Sequence, residues 1–296
     1  MAALGAAILA MMLGDGRAAA EPASVQAYMA QPQVKADARI AYGDAPAQVV
    51  DLFLPKDRGL HPVVILLHGG CYLAEYQGLP QTSGIAADLA GRGYAVWNVE
   101  YRKLGEPGAG YPGTFLDVAD AVDRIRMEAA TYHLDTKRVV ALGHSAGGHL
   151  ALWAAARGKL PKTSPLWRSD PLAIRTVVSL GGIGDLKGQG DVFAGACGPE
   201  PIPKIIGKAD RAEPYADTSP AELMPLGVRV VMISGDFDHV MPPFTGRAFV
   251  AKLRKAGDSA KVMAIPDAGH FDVVMPTTAA WKIVAVTVAR EIAALR

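Results

Sequence analysis

The chain has 296 residues, half of them apolar and a fifth charged, with 30 basic side chains against 29 acidic ones. That length suits two ordinary domains or one large α/β domain with an ample core. The nearly cancelled charge, with no run of one sign, excludes nucleic acid and an anionic membrane surface as favoured partners, and without CxxC or HExxH no metal site is suggested by spacing.

Ala2 to Leu13 is an uncharged apolar run, too short to cross a bilayer. With Ala18-Ala19-Ala20 ahead of Glu21 it has the shape of a secretory leader cleaved after Ala20, although it lacks the basic residues that usually open one. A mature chain of residues 21–296, secreted or periplasmic, is the expectation. The alternative is an apolar arm packed on a cytoplasmic domain. No later run is long enough to suggest stable membrane insertion.

From about residue 36 strands and helices alternate. Residues 39–42 and 49–54 pattern as an opening antiparallel pair, and 63–67 as a strand buried on both faces that ends at His68-Gly69-Gly70. A helix is predicted over 83–91, a strand over 94–101, and a helix over 114–130, where Phe115, Val118, Val122 and Ile125 share one face. A strand at 138–142 leads through a turn into a helix at 147–156. Strands follow at 176–180, 228–234 and 261–265, and an amphipathic helix at 279–295 closes the chain. This order predicts one α/β domain, a mostly parallel central sheet with helices on both faces. Residues 181–226, rich in Gly and Pro and without a sustained period, are expected to make a short covering excursion over the carboxyl edge of the sheet, where such folds bind ligands.

Gly143-His144-Ser145-Ala146-Gly147 fits G-x-S-x-G with a strand before it and a helix after it. That context holds a serine exposed on a sharp turn, and Ser145 is the expected nucleophile. A serine needs a base within reach. Among seven histidines, His270 lies in a loop just past a parallel strand and opens on the same edge as Ser145. His61 and His133 are expected at the surface, His68 as a turn support, and His144 and His149 as packing or pocket lining. The acid that orients the imidazole is expected in Gly235-Asp236-Phe237-Asp238, giving the chain order Ser145, Asp238, His270. Asp236 and Asp238 both follow the strand, so periodicity does not choose between them. Asp238 is the better placed to turn back towards His270. Asp185 reads as a cap. Donors to a developing oxyanion are expected from the amides of Gly70, Cys71 and Ala146, with His144 and Tyr72 against the substrate. Cys71 and Cys197 can make one bridge in an oxidising compartment, or none.

These segments, with Asn98-Val99-Glu100-Tyr101-Arg102, Ser219-Pro220-Ala221-Glu222-Leu223 and Ala268-Gly269-His270-Phe271, resemble the α/β-hydrolase superfamily over about residues 45–285. Within it the resemblance is to kynurenine formamidase-like and feruloyl/acetyl-xylan esterase-like serine hydrolases. Tyr72 stands where many such formamidases have tryptophan. The pattern G-x-x-D-x-x-V-P of these hydrolases, met by Gly235, Asp238 and Pro242 with Met241 in place of valine, implies Asp238 as the acid. The resemblance implies hydrolysis of a small or aryl ester through an acyl-enzyme, with no cofactor. Cleavage of an arylformamide by the same groups, or a catalytically silent fold used for binding, are the alternatives. Oligomeric state is not legible.

Overall fold

The structure is a computed structural model that describes residues 21–76 and 78–295, so the expected leader, residues 1–20, lies outside the described residues. The strands are β1 (Ala38–Ala41), β2 (Val49–Phe53), β3 (His61–Leu67), β4 (Ala95–Val99), β5 (Leu134–His144), β6 (Thr176–Leu180), β7 (Arg229–Gly235) and β8 (Ala260–Ile265). They form one sheet in the order β1-β2-β4-β3-β5-β6-β7-β8. The two pairings β1–β2 and β2–β4 are antiparallel and the rest are parallel. The expected mostly parallel sheet is what the chain forms.

The period of two along each strand sorts side chains onto the two faces. Val63, Ile65 and Leu67 of β3, with Val139 and Ala141 of β5, pack on one side. There they meet α3 (Gly113–Tyr132), α4 (Ala146–Ala156) and α7 (Pro243–Lys255). Val64, Leu66, Val140 and Leu142 face the other side, against α2 (Leu79–Gly91) and α8 (Ala279–Ala293). Every residue of β3 is buried, which is why its sequence from Pro62 to Leu67 is continuously apolar instead of alternating. Each such Val, Ile or Leu contributes about 1.5–3 kcal/mol by leaving water.

Two expectations change. Residues 181–226 hold a real helix, α5 (Leu186–Cys197), and a shorter one, α6 (Pro201–Ile205), among short 3-10 turns. Asp185 caps α5 by accepting the Gly188 amide at 2.7 Å, and the start of α5 is pinned by the Ser219 hydroxyl on the Leu186 amide. The Gly content hid this helix because tertiary contacts, not propensity, hold it. His61, expected at the surface, is buried at the start of β3. The remaining helix, α1 (Val25–Met29), precedes the sheet and packs by the loop of His270.

Candidate active site

The chain turns sharply between β5 and α4 at Ser145, whose φ of 53° and ψ of −121° lie outside the usual L-residue regions. The turn is tied to the next strand by the Ser145 amide, which donates to the Leu180 carbonyl at 2.8 Å. A side chain at Gly147 would place a Cβ 2.2 Å from the Leu67 carbonyl oxygen, and one at Gly143 would place it 2.1 Å from that of Gly147. Glycine is therefore required on both sides of the serine for α4 to start this close to the sheet. Ser145 does not use its side chain to cap α4, which leaves the hydroxyl for other work.

β7 and β8 end beside this turn. Asp238 and His270, on the loops that follow them, meet there: His270 Nδ1 donates to Asp238 Oδ2 at 2.8 Å. The other carboxylate oxygen accepts the amides of Val240 at 2.9 Å and Met241 at 2.8 Å. Asp238 is buried and fully used, whereas Asp236 is exposed. With Nδ1 donating, His270 Nε2 is the nitrogen left to accept a proton. Ser145 and His270 line one cavity of about 290 Å³ at the carboxyl edge of the sheet.

His144 also lines that cavity, and its Nε2 donates to the His270 carbonyl at 3.0 Å. Burial, reinforced by the facing His270, pushes His144 well below the usual histidine range, so it is a neutral ring that supports the His270 loop. Gly70 and Cys71 line the same cavity, and Ala146 is the first residue of α4. Among the described residues none of these three amides has a hydrogen-bond acceptor; for Ala146 this is expected of a first helical turn.

Behind this loop lies a buried ionic cluster. His68 Nε2 donates to Glu100 Oε1 at 2.8 Å and Nδ1 to the Gly69 carbonyl at 2.8 Å, while Lys103 Nζ donates to the same Glu100 oxygen at 2.7 Å. Burial by itself would raise the Glu100 carboxyl, but His68 and Lys103 outweigh it and hold it down to about 2. The sequence expectation of His68 as a turn support matches this placement.

Tyr72 is a correction. It was expected against the substrate but is fully buried, with its hydroxyl on His149 Nδ1 at 2.8 Å and its ring near Phe193. The turn at Cys71 and Tyr72, both with positive φ, aims the large side chain under the loop, where it finds apolar cover and a partner for its hydroxyl. His149 is an internal link: its Nε2 donates to the Thr218 carbonyl, and burial lowers it to about 4. Conversely, the sequence reading missed Val25, Tyr28 and Met29 of α1, which line the cavity together with Tyr76 and Phe271. Their spacing of i, i+3 and i+4 after Ser24, an N-cap, was the only available signal, and one turn is too short to stand out.

The BD-FAE family model matches residues 50–253, more than half of the chain. The esterase LipC of Mycobacterium tuberculosis is 27% identical over 246 residues, which cover 80% of this chain and 60% of that protein. The probable isoprenylcysteine alpha-carbonyl methylesterase ICME of Oryza sativa subsp. japonica is 26% identical over 252 residues, 80% of this chain and 58% of that one. The chain thus spans about 60% of the length of these curated relatives. Among solved structures, esterase B from Lactobacillus rhamnosis (HN001) is similar with a TM-score of 0.77 at 20% identity, covering 92% of this chain and 90% of that one, a likeness of fold.

Proposed function

The chain belongs to the BD-FAE family and has the α/β-hydrolase fold, and from that premise we propose that it hydrolyses a small or aryl carboxylic ester through an acyl-enzyme on Ser145. The observation that carries the reading is the hydrogen bond from His270 to the buried Asp238, at the cavity that Ser145 also lines.

Ser145 Oγ attacks the carbonyl carbon while His270 Nε2 takes its proton. The new negative charge on the carbonyl oxygen is met by the amides of Gly70, Cys71 and Ala146. One such donor is worth about 2.7–4 kcal/mol of barrier in related chemistry. His270, now an imidazolium stabilised by Asp238, gives its proton to the leaving alcohol, and the tetrahedral centre collapses to the acyl-enzyme. Water enters the same position and attacks the acyl carbon as it loses a proton to His270. The second tetrahedral centre collapses by breaking the bond to Ser145 Oγ, His270 returns the proton to that oxygen, and the acid is released. Asp238 stays ionised throughout and holds Nδ1 protonated, which keeps Nε2 pointed at its work.

The cavity's size favours a small substrate, since it lies at the low end of the roughly 300–1,000 Å³ of ordinary ligand pockets. Among the described residues its side-chain lining is mainly apolar and aromatic, with no Lys, Arg, Asp or Glu, which suits a neutral acyl or aryl group. Residues 21–296 then act as one catalytic domain with residues 181–226 as its cover. A secreted or periplasmic location is part of the proposal, supported by the disulfide between Cys71 and Cys197. Among the described residues no helix is long and apolar enough to cross a membrane.

The test is a panel of p-nitrophenyl esters of rising chain length, feruloyl and acetylated sugars, a triglyceride emulsion and N-formylkynurenine, run beside labelling with a fluorophosphonate. The wild-type chain should label and turn over short or aryl esters, and Ser145→Ala should lose labelling and about 10^4-fold in turnover. Near-normal turnover in Ser145→Ala, or greater activity on the long-chain emulsion than on short esters, overturns the reading.

A further inference from the structure

One wall of the cavity comes from outside the catalytic loops. α1 is a single turn, too short to persist by itself. It is fastened at both ends. The Ala23 amide donates to Asp272 Oδ2 at 3.0 Å, and the same oxygen accepts the Gly269 amide at 2.8 Å, so one carboxylate ties the start of α1 to the loop of His270. Further on, the Val34 amide donates to the Ser83 hydroxyl of α2 at 3.0 Å. Between these points the Tyr28 ring lies stacked on Phe271, with centroids 5.1 Å apart and planes at 24°, and 5.8 Å from His144. Val25, Tyr28 and Met29 fall on one face of the turn, and all three line the cavity that holds Ser145 and His270.

We propose that Tyr28 is a specificity-determining residue: with Val25 and Met29 it forms the wall that limits the size of the substrate group lying beside His270 and Phe271. This rests on the Ser145 esterase reading. Tyr28 is buried although it sits on a strap that leaves most of its other residues open to solvent. Its ring is held by His144 and Phe271, which are themselves part of the site, so its position is fixed relative to the reacting groups. In a cavity of about 290 Å³, removing a phenol ring from the wall is a large fractional change. Each additional methylene that such a space can bury is worth about a factor of four in binding.

The measurement is kcat/KM of the full chain on p-nitrophenyl butyrate and octanoate, with fluorophosphonate labelling of Ser145 recorded for every variant. Tyr28→Ala should raise the octanoate-to-butyrate ratio by about 10-fold or more. Met29→Trp, at a half-buried position that adds bulk instead of removing it, should lower the ratio below that of the wild-type chain. If both variants label normally and keep the ratio within about twofold, the wall claim is wrong and the esterase reading stands. If Tyr28→Ala fails to label because it does not fold, Met29→Trp decides alone, and an unchanged or raised ratio there overturns the claim. A wild-type chain that neither labels at Ser145 nor cleaves either ester removes the esterase reading itself.

Discussion

Cys71, three residues past His68 in the glycine loop of the cavity, is bonded to Cys197, the last residue of α5, across 126 residues of chain, with Cα atoms 5.6 Å apart. The bridge ties the covering stretch, residues 181–226, to the glycine loop that follows β3. It also braces a costly stretch of backbone: Cys71 and Tyr72 have φ of 54° and 63°, which non-glycine residues adopt at about 1–3 kcal/mol each only when their surroundings enforce it. Cys197→Ser should therefore lower stability by about 2–4 kcal/mol and slow ester turnover, as the amides of Gly70 and Cys71 lose their fixed aim. Thermal melts and kcat with and without a reductant check this. Wild-type protein in reductant should behave like the variant, and a variant with unchanged kcat would separate the bridge from the proposed oxyanion donors.

Asp238 and Asp236 lie two residues apart with opposite surroundings, one buried on His270 and the other exposed. Asp238→Asn should cost up to about 10^4-fold in turnover, because an amide facing Nδ1 favours the tautomer that leaves no base towards Ser145. Asp236→Asn should leave turnover close to wild type. Steady-state rates on one short ester distinguish them. The reverse pattern would reassign the acid.

Gly181, at the end of β6, has a φ of +51°, and a Cβ there would stand 2.8 Å from both Asp238 Oδ2 and His270 Nδ1. Gly181→Ala should push this hydrogen-bonded pair apart and reduce kcat/KM by about 100-fold or more, since a displacement of about 1 Å at reacting groups costs that much. A Gly181→Ala protein with normal kcat/KM on a short ester would mean that the pair tolerates the displacement.

Acid should weaken the fold through His149. Its burial holds it down to about 4 against an ordinary value of 6.5, so below pH 6.5 the unfolded chain binds a proton that the folded chain refuses. Stability is complete above pH 6.5 and falls as pH drops towards 4, by at most roughly 3 kcal/mol. His144, depressed further by burial and His270, acts in the same direction. Glu100, held near 2, keeps its charge through this window and contributes its own loss only below about pH 4.5. Urea unfolding at pH 7 and 4.5 should show a smaller loss in His149→Gln than in the wild-type chain. Equal losses would place the acid sensitivity elsewhere.

Local pattern by itself determined much of this protein. The strands, the parallel sheet and the turn at Ser145 follow from periodicity and from glycines that a close approach demands, both of which act over a few residues. The placement of His270 past a parallel strand follows in turn, because parallel strands end on one edge. Only the tertiary structure decided how distant segments meet. Asp236 and Asp238 are equivalent to a periodicity argument and are separated by a buried contact with a loop 32 residues on. Tyr72 sits beside the glycine loop of the cavity in sequence, yet two positive φ values turn it inward to His149. α5 forms in a glycine-rich stretch because Asp185, Ser219 and the Cys71 bridge hold it. Tyr28 reaches the cavity from the opposite end of the chain, on a turn too short to be stable alone. Contacts of that kind come from packing, whose energy belongs to surfaces brought together by the whole fold and leaves no period in the sequence.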